Sequence, residues 1–148
     1  MVNILFVCTG NTCRSPMAEA ILKAQKFSDV SVRSKGIAAA DGDSASMHVE
    51  NLLHQHNMWL KHHSGKIQLD DIEWADYVLT MTNQHKQLLQ MLFPTFVDRI
   101  FTLSELAIEE NRDVVDPYGG DGVVYTQTFS ELIQLIKNLA KKQQWRKE

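Results

Sequence analysis

Apolar positions in this chain fall into two kinds of run. Ile4-Leu5-Phe6-Val7 is continuously apolar up to Cys8, the pattern of a strand covered on both faces. After a short polar stretch, Met17-Ala18-Glu19-Ala20-Ile21-Leu22 reads as a helix, with Ser15 expected to cap it and Pro16 in its first turn. Val30-Ser31-Val32-Arg33-Ser34 alternates and predicts a strand with one wet face, at a sheet edge. Ile37 to Ala45 is small and polar, hence loop, and Met47, Val49, Leu52, Leu53 and His56 then lie at helical spacing. Tyr77-Val78-Leu79-Thr80-Met81 is a second buried strand. Leu88, Leu89, Leu92 and Phe93 give the following helix an apolar stripe, which Pro94 ends. Arg99 to Leu103 predicts a short strand, and Asn111 to Gly122 a polar loop. Tyr125, Phe129, Leu132, Ile136 and Leu139 recur every three or four residues and mark a long C-terminal helix.

Strands that alternate with helices predict a parallel sheet with helices on both faces. The first and third strands are the most apolar and belong in its centre, with the second and fourth at the edges.

Between the first strand and the first helix lies Cys8-Thr9-Gly10-Asn11-Thr12-Cys13-Arg14-Ser15. A loop in that position turns its backbone amides around an anion, and the helix behind it adds partial positive charge. A cysteine facing such a cradle is expected to react as the thiolate. Arg14 carries a planar fork that fits two phosphate oxygens, at a helix start where a cation without an anionic partner is unfavourable. Thiolate, amides and guanidinium together point to a nucleophile that attacks phosphorus. Thr9, Gly10, Asn11, Thr12, Cys13, Arg14 and Ser15 are the expected phosphate-binding residues. Gly10 permits close backbone approach, Asn11 tolerates a left-handed turn, and Ser15 can donate to the thiolate.

The loop string resembles the signature of the low-molecular-weight protein tyrosine phosphatases. Cys8 to Arg14 is most similar to the variant in bacterial protein arginine phosphatases of that family, and the likeness runs over nearly the whole chain. It implies one domain over residues 1–148, with a four-stranded parallel sheet in the order 2-1-3-4. It also implies a covalent phosphocysteine on Cys8, Arg14 holding the phosphoryl group, and Asp116 in Asp116-Pro117-Tyr118-Gly119-Gly120 as general acid and then base. From composition alone the Asp116 segment would be an ordinary turn. Asn11, Ser34 and His62 match the family's loop-supporting set. Tyr118 is expected at the pocket mouth, but phosphotyrosine-acting relatives usually carry a second tyrosine where this chain has Gly119. Their further aromatic wall corresponds to Ala38-Ala39-Ala40. Thr12 stands where such relatives commonly have a bulkier aliphatic residue, so Thr12 and Tyr118 are the specificity candidates. Phosphoarginine on proteins is therefore the expected substrate, with phosphotyrosine as the alternative. Arsenate reduction would need a relay of further cysteines, and the intact set of Cys8, Arg14 and Asp116 argues against a non-catalytic anion sensor.

Composition narrows the rest. A 148-residue chain with 44% hydrophobic and 22% charged residues can bury a core without metal or disulfides. A formal charge of -3 supplies no field for nucleic acid, and no apolar run approaches membrane-spanning length. The first strand begins too near Met1 to leave room for a signal peptide, so a cytoplasmic protein is expected, and the resemblance implies a bacterial one. Two cysteines are not a disulfide framework; Cys13 is either packed under the loop or a resolving thiol for oxidised Cys8. His54 and His56 diverge on their predicted helix, and with His62 and His63 they complete no metal set. No metal or cofactor is expected.

Overall fold

Strand β1 (Val2–Cys8) is the axis on which the other elements are hung. It pairs in parallel with β2 (Val30–Gly36) on one side and β3 (Tyr77–Thr80) on the other. β4 (Ile100–Thr102) adds to β3, which gives the sheet order β2-β1-β3-β4. The computed structural model describes residues 1–147. Apolar strands take the centre because helices cover both faces, and the register Ile4–Val32 and Ile4–Tyr77 sets the side-chain layers.

Successive β1 residues point to opposite faces and feed two cores. Ile4, Phe6 and Cys8 join the larger core, under α1 (Arg14–Ala24), α2 (Met47–Gln55), α5 (Leu103–Ile108) and α6 (Gly122–Gln143). Leu5 and Val7 join the smaller one, with Ile72 of α3 (Leu69–Trp74) and Leu89 of α4 (Asn83–Leu92). Ile4, Leu5, Phe6 and Val7 have no solvent-exposed surface. Each such side chain contributes about 2 kcal/mol on burial, so the strand that ends in Cys8 is firmly held.

Edge strand β2 alternates as its pattern predicts. Val32 and Ser34 are buried, while Arg33 is exposed and lies 4.1 Å over the Trp74 ring.

Three expectations need correction. Ser15 does not cap α1: the helix begins at Arg14 with Cys13 in the capping position, and no side chain caps it. Ser15 is thus inside the helix and fully buried, its hydroxyl turned to the loop instead. The apolar stripe of α4 is buried only in part: Leu89 is buried and Phe93, at the helix end, packs on the smaller core, while Leu88 and Leu92 are exposed. Leading α2, Met47 is likewise exposed; Val49, Leu52 and Leu53 make its inward face. Helices α3 and α5 and the 3-10 segment Pro94–Arg99 were not foreseen. Six-residue helices show too few turns for a periodicity to emerge, although Thr102 and Glu105 form a capping box whose spacing is visible in the sequence.

Candidate active site

The loop between β1 and α1 is fastened from three sides. From the segment after β2, Ile37 N donates to Cys8 O at 2.9 Å and Ala38 N to Thr9 O at 3.0 Å. From the start of α2, Ser46 N donates to Thr12 O at 2.9 Å. A histidine from the 57–67 segment closes the set, with His62 Nε2 2.6 Å from Asn11 O. Because a carbonyl only accepts, His62 carries its hydrogen on Nε2 in that bond.

Asn11 is the keystone. It is fully buried and takes the left-handed conformation, φ 57°, which asparagine tolerates better than most residues. The Gly65 amide donates to its Oδ1 at 3.0 Å, which fixes the orientation of the side-chain amide. The Nδ2 group then donates to Ser15 Oγ at 2.8 Å and to Ser34 Oγ at 3.0 Å. Ser34 passes its own hydrogen to Glu19 Oε1 at 2.6 Å. Ser15, having accepted from Asn11, has its hydrogen free for Cys8 Sγ, 2.9 Å away. One amide orientation thus points a hydroxyl donor at the cysteine sulfur.

Cys8 and Arg14 stand at opposite ends of this loop. Arg14 is buried; its Nη1 donates to Val114 O at 3.1 Å, and its Nη2 lies 3.6 Å from Asp116 Oδ2. Asp116, on the loop before α6, keeps about half of its side chain in solvent, and its Oδ1 accepts from the Tyr118 amide at 3.1 Å. Cys8, Thr9, Gly10, Thr12, Cys13, Arg14, Asp116 and Tyr118 line one pocket of about 250 Å³. The fold therefore brings together residues a hundred positions apart in sequence. Tyr118, 80% exposed, is the aromatic residue in that lining.

Cys13 lines the same pocket as Cys8 and also packs toward α6. Its sulfur is 3.4 Å from the Tyr125 hydroxyl, and both cysteines are free thiols. Burial, reinforced by the bond to Cys13, raises Tyr125 above the usual phenol range, so it stays a neutral donor. His48 stacks on the same ring at 4.6 Å.

Three residues that matter here escaped the sequence. Glu19 is a carboxylate inside α1 that receives Ser34 and Lys23 and lies 4.0 Å from His62 Nδ1. Its signal is a charge on the otherwise apolar face of Met17 to Leu22. Gly36 ends β2 where an added Cβ would lie 2.6 Å from Thr9 O, so only glycine lets the strand touch the loop. By contrast, a Cβ on Gly10 would meet Thr12 Oγ1 at an ordinary 3.7 Å, and the protein's own packing does not oblige glycine there. His85, in the first turn of α4, is buried with Nε2 2.9 Å from Thr9 Oγ1. Burial and, second, the Arg14 guanidinium lower its pKa to about 4 against the pull of Asp113 and Asp116, so it is neutral at neutral pH. Its sequence surroundings, Asn83-Gln84-His85-Lys86-Gln87, are uniformly polar and give no hint of burial.

Among the described residues no group of three or more His, Cys, Asp or Glu is placed to hold a metal, and no helix is long and apolar enough to cross a membrane.

A thiol that accepts from a serine hydroxyl, a buried arginine and a facing carboxylate in one pocket make a centre for phosphoryl transfer through sulfur. Comparison with known proteins agrees. The family model for low molecular weight phosphotyrosine protein phosphatase matches residues 3–148. The protein-arginine-phosphatase of Geobacillus stearothermophilus is 43% identical over 141 residues, 95% of either chain. The low molecular weight protein-tyrosine-phosphatase PtpB of Staphylococcus aureus is 40% identical over 138 residues, 93% of this chain and 96% of its own. A solved YwlE arginine phosphatase, a Cys-to-Ser mutant with a phosphorylated active-site serine, superposes with a TM-score of 0.94 at 41% identity, covering 97% of this chain and 96% of that one. Through its fold, its loop and these relatives, this chain belongs to the low molecular weight phosphotyrosine protein phosphatase family.

Proposed function

We propose that this protein is a cysteine-dependent protein arginine phosphatase. The observation that carries the reading is the single pocket in which Cys8, Arg14, Thr12 and Asp116 meet. The Cys8 thiolate attacks phosphorus, the S–P bond forms and the P–N bond breaks. Asp116 gives its proton to the departing guanidinium nitrogen. Arg14 and the loop amides hold the equatorial oxygens as charge gathers on them. In the second step water attacks the phosphocysteine, Asp116 takes a proton from that water, and the S–P bond breaks to release phosphate. The Ser15 hydroxyl, aimed at the sulfur, eases departure of the thiolate. The solved relative with a phosphoryl group on the serine that replaces its cysteine supports this covalent route for Cys8.

Substrate choice rests on Thr12 and Asp116. Thr12 puts a hydroxyl rather than a hydrocarbon on the pocket wall, which pairs with the donors of a guanidinium. Asp116 supplies both the proton that P–N cleavage requires and a negative charge for the cationic product. Tyr118 covers the mouth. Phosphotyrosine is the second reading, favoured by the relative named as a tyrosine phosphatase at 40% identity. Phosphorylated proteins are the partners, the reducing cytoplasm is the proposed setting, and Cys13 is the thiol that traps oxidised Cys8.

Rapid acid or base quench of the wild type during turnover of a phosphoarginine peptide, followed by peptide mass analysis, tests the mechanism. Phosphate on the Cys8 peptide supports it. Release of phosphate with the sulfur never labelled, at times shorter than one turnover, sinks it.

A further inference from the structure

His85 is 6% exposed, its Nε2 meets Thr9 Oγ1, and its Nδ1 has no hydrogen-bond partner. The orphan atom decides the tautomer. A buried N–H without an acceptor is among the rarest defects of folded proteins, whereas an unused lone pair costs less. The ring hydrogen therefore sits on Nε2, and His85 donates to Thr9. With its oxygen already accepting, the Thr9 hydroxyl must give its own hydrogen elsewhere. Thr9 is exposed and lines the Cys8 pocket beside Asp116, and a phosphoryl group bound there would bring acceptor oxygens to its hydroxyl. A guanidinium has donors only and cannot take it.

The position of His85 is itself fixed. Its amide donates to the capping Thr82 Oγ1 at 3.1 Å. Two residues earlier, Asn83 N donates to Asp113 Oδ1, and Val114 N donates to Met81 O, both at 2.8 Å. Val114 O in turn receives Arg14. The start of α4 thus ties the Asp116 loop, the buried arginine and the wall of the pocket into one body.

We propose that His85 is a positioning residue for phosphoryl binding: as a neutral donor it fixes the Thr9 hydroxyl as a hydrogen-bond donor into the pocket, a contact to phosphate from the loop's side chains in addition to that of Arg14. The proposal rests on the pocket being a phosphoryl site, and its test needs no turnover.

Calorimetric binding of inorganic phosphate is measured for the wild type, His85→Leu, His85→Gln, Thr9→Val and the double variant His85→Leu/Thr9→Val. Loss of one hydrogen bond to a charged ligand predicts about tenfold weaker binding for His85→Leu and for Thr9→Val. Because one acts through the other, the double variant is expected to be no weaker than either single one. His85→Gln, whose amide nitrogen replaces Nε2, should bind within about twofold of the wild type, a rescue that simple loss of packing would not show. Losses that multiply, or phosphate affinity unchanged in His85→Leu, overturn the proposal. If His85→Leu does not fold, Thr9→Val decides alone, and unchanged phosphate affinity there overturns it. A wild type that binds phosphate but hydrolyses no phosphoarginine would refute the proposed reaction and leave this test standing.

Discussion

Replacing Asn11 tests the keystone of the loop in a way that separates hydrogen bonding from backbone strain. The side chain makes three hydrogen bonds inside the protein, to Ser15, Ser34 and Gly65. Each is worth about 1 kcal/mol net, and its loss leaves a buried partner unsatisfied, so Asn11→Ala forfeits about 3 kcal/mol on that account. Alanine must also hold the left-handed backbone at φ 57°, for about 1 kcal/mol more. Asn11→Gly loses the same bonds but adopts that backbone freely. Urea unfolding followed by tryptophan fluorescence should therefore show Asn11→Ala less stable than the wild type by about 4 kcal/mol, and Asn11→Gly by about 3 kcal/mol. Loss of the anchor also frees the Ser15 hydroxyl from its aim at Cys8, so kcat should fall in both variants even where the protein remains folded. Equal stability of the two variants would remove the strain component. A cost below about 1 kcal/mol for Asn11→Ala would mean that the network contributes nothing of weight.

Other consequences can be measured separately. Asp116→Asn should lower kcat by about a hundredfold on substrates with poor leaving groups and much less on activated aryl phosphates; equal losses on both would make Asp116 a structural residue. Mild peroxide should inactivate reversibly with a Cys8–Cys13 crosslink visible by mass spectrometry, whereas sulfinic acid on Cys8 with Cys13 still free would dismiss the resolving role. His85 is held neutral down to about pH 4, while in the unfolded chain it titrates at the ordinary 6.5. Between those values the unfolded state binds more protons, so this group's contribution is complete above 6.5 and drains away as pH falls toward 4, by at most about 3 kcal/mol. The difference in stability between wild type and His85→Gln should narrow over that window; a difference independent of pH would contradict a neutral buried imidazole.

How far the sequence foretold this protein varied with the kind of signal. β1, β3 and α6 carry long or strong apolar patterns, and the structure has them where the pattern puts them. Which strands lie at the centre followed from which runs were most apolar, because burial on both faces demands it, while the full order came from the family resemblance. The loop from Cys8 to Ser15 was legible as a strand-to-helix anion cradle. What the sequence hid is long-range. Glu19 and His85 are polar residues whose burial is created by partners 15 and 76 positions away, Ser34 and Thr9, and no local pattern reports such a pairing. Ser15 illustrates the opposite error: a good capping residue at a helix start was recruited by Asn11 and Cys8, because the loop needed its hydroxyl more than the helix did. The stripe of α4 was misjudged in part: Leu89 and Phe93 meet the smaller core, but Leu88 and Leu92 on the same helix stand in water.

The central claim, that this site is built for phosphoarginine, is tested most directly by one paired assay. The same peptide, carrying phosphoarginine or phosphotyrosine, is given to the wild type and to Thr12→Ile, and kcat/KM is compared. Pockets that match polar donors discriminate strongly against partners that leave them unpaired, so the wild type should prefer phosphoarginine by about a hundredfold or more. Isoleucine puts an ethyl group in place of the hydroxyl and lengthens the side chain, so Thr12→Ile should lose phosphoarginine turnover while phosphotyrosine turnover holds or rises. A wild type that favours phosphotyrosine, or a Thr12→Ile variant in which both activities fall together, would contradict the account.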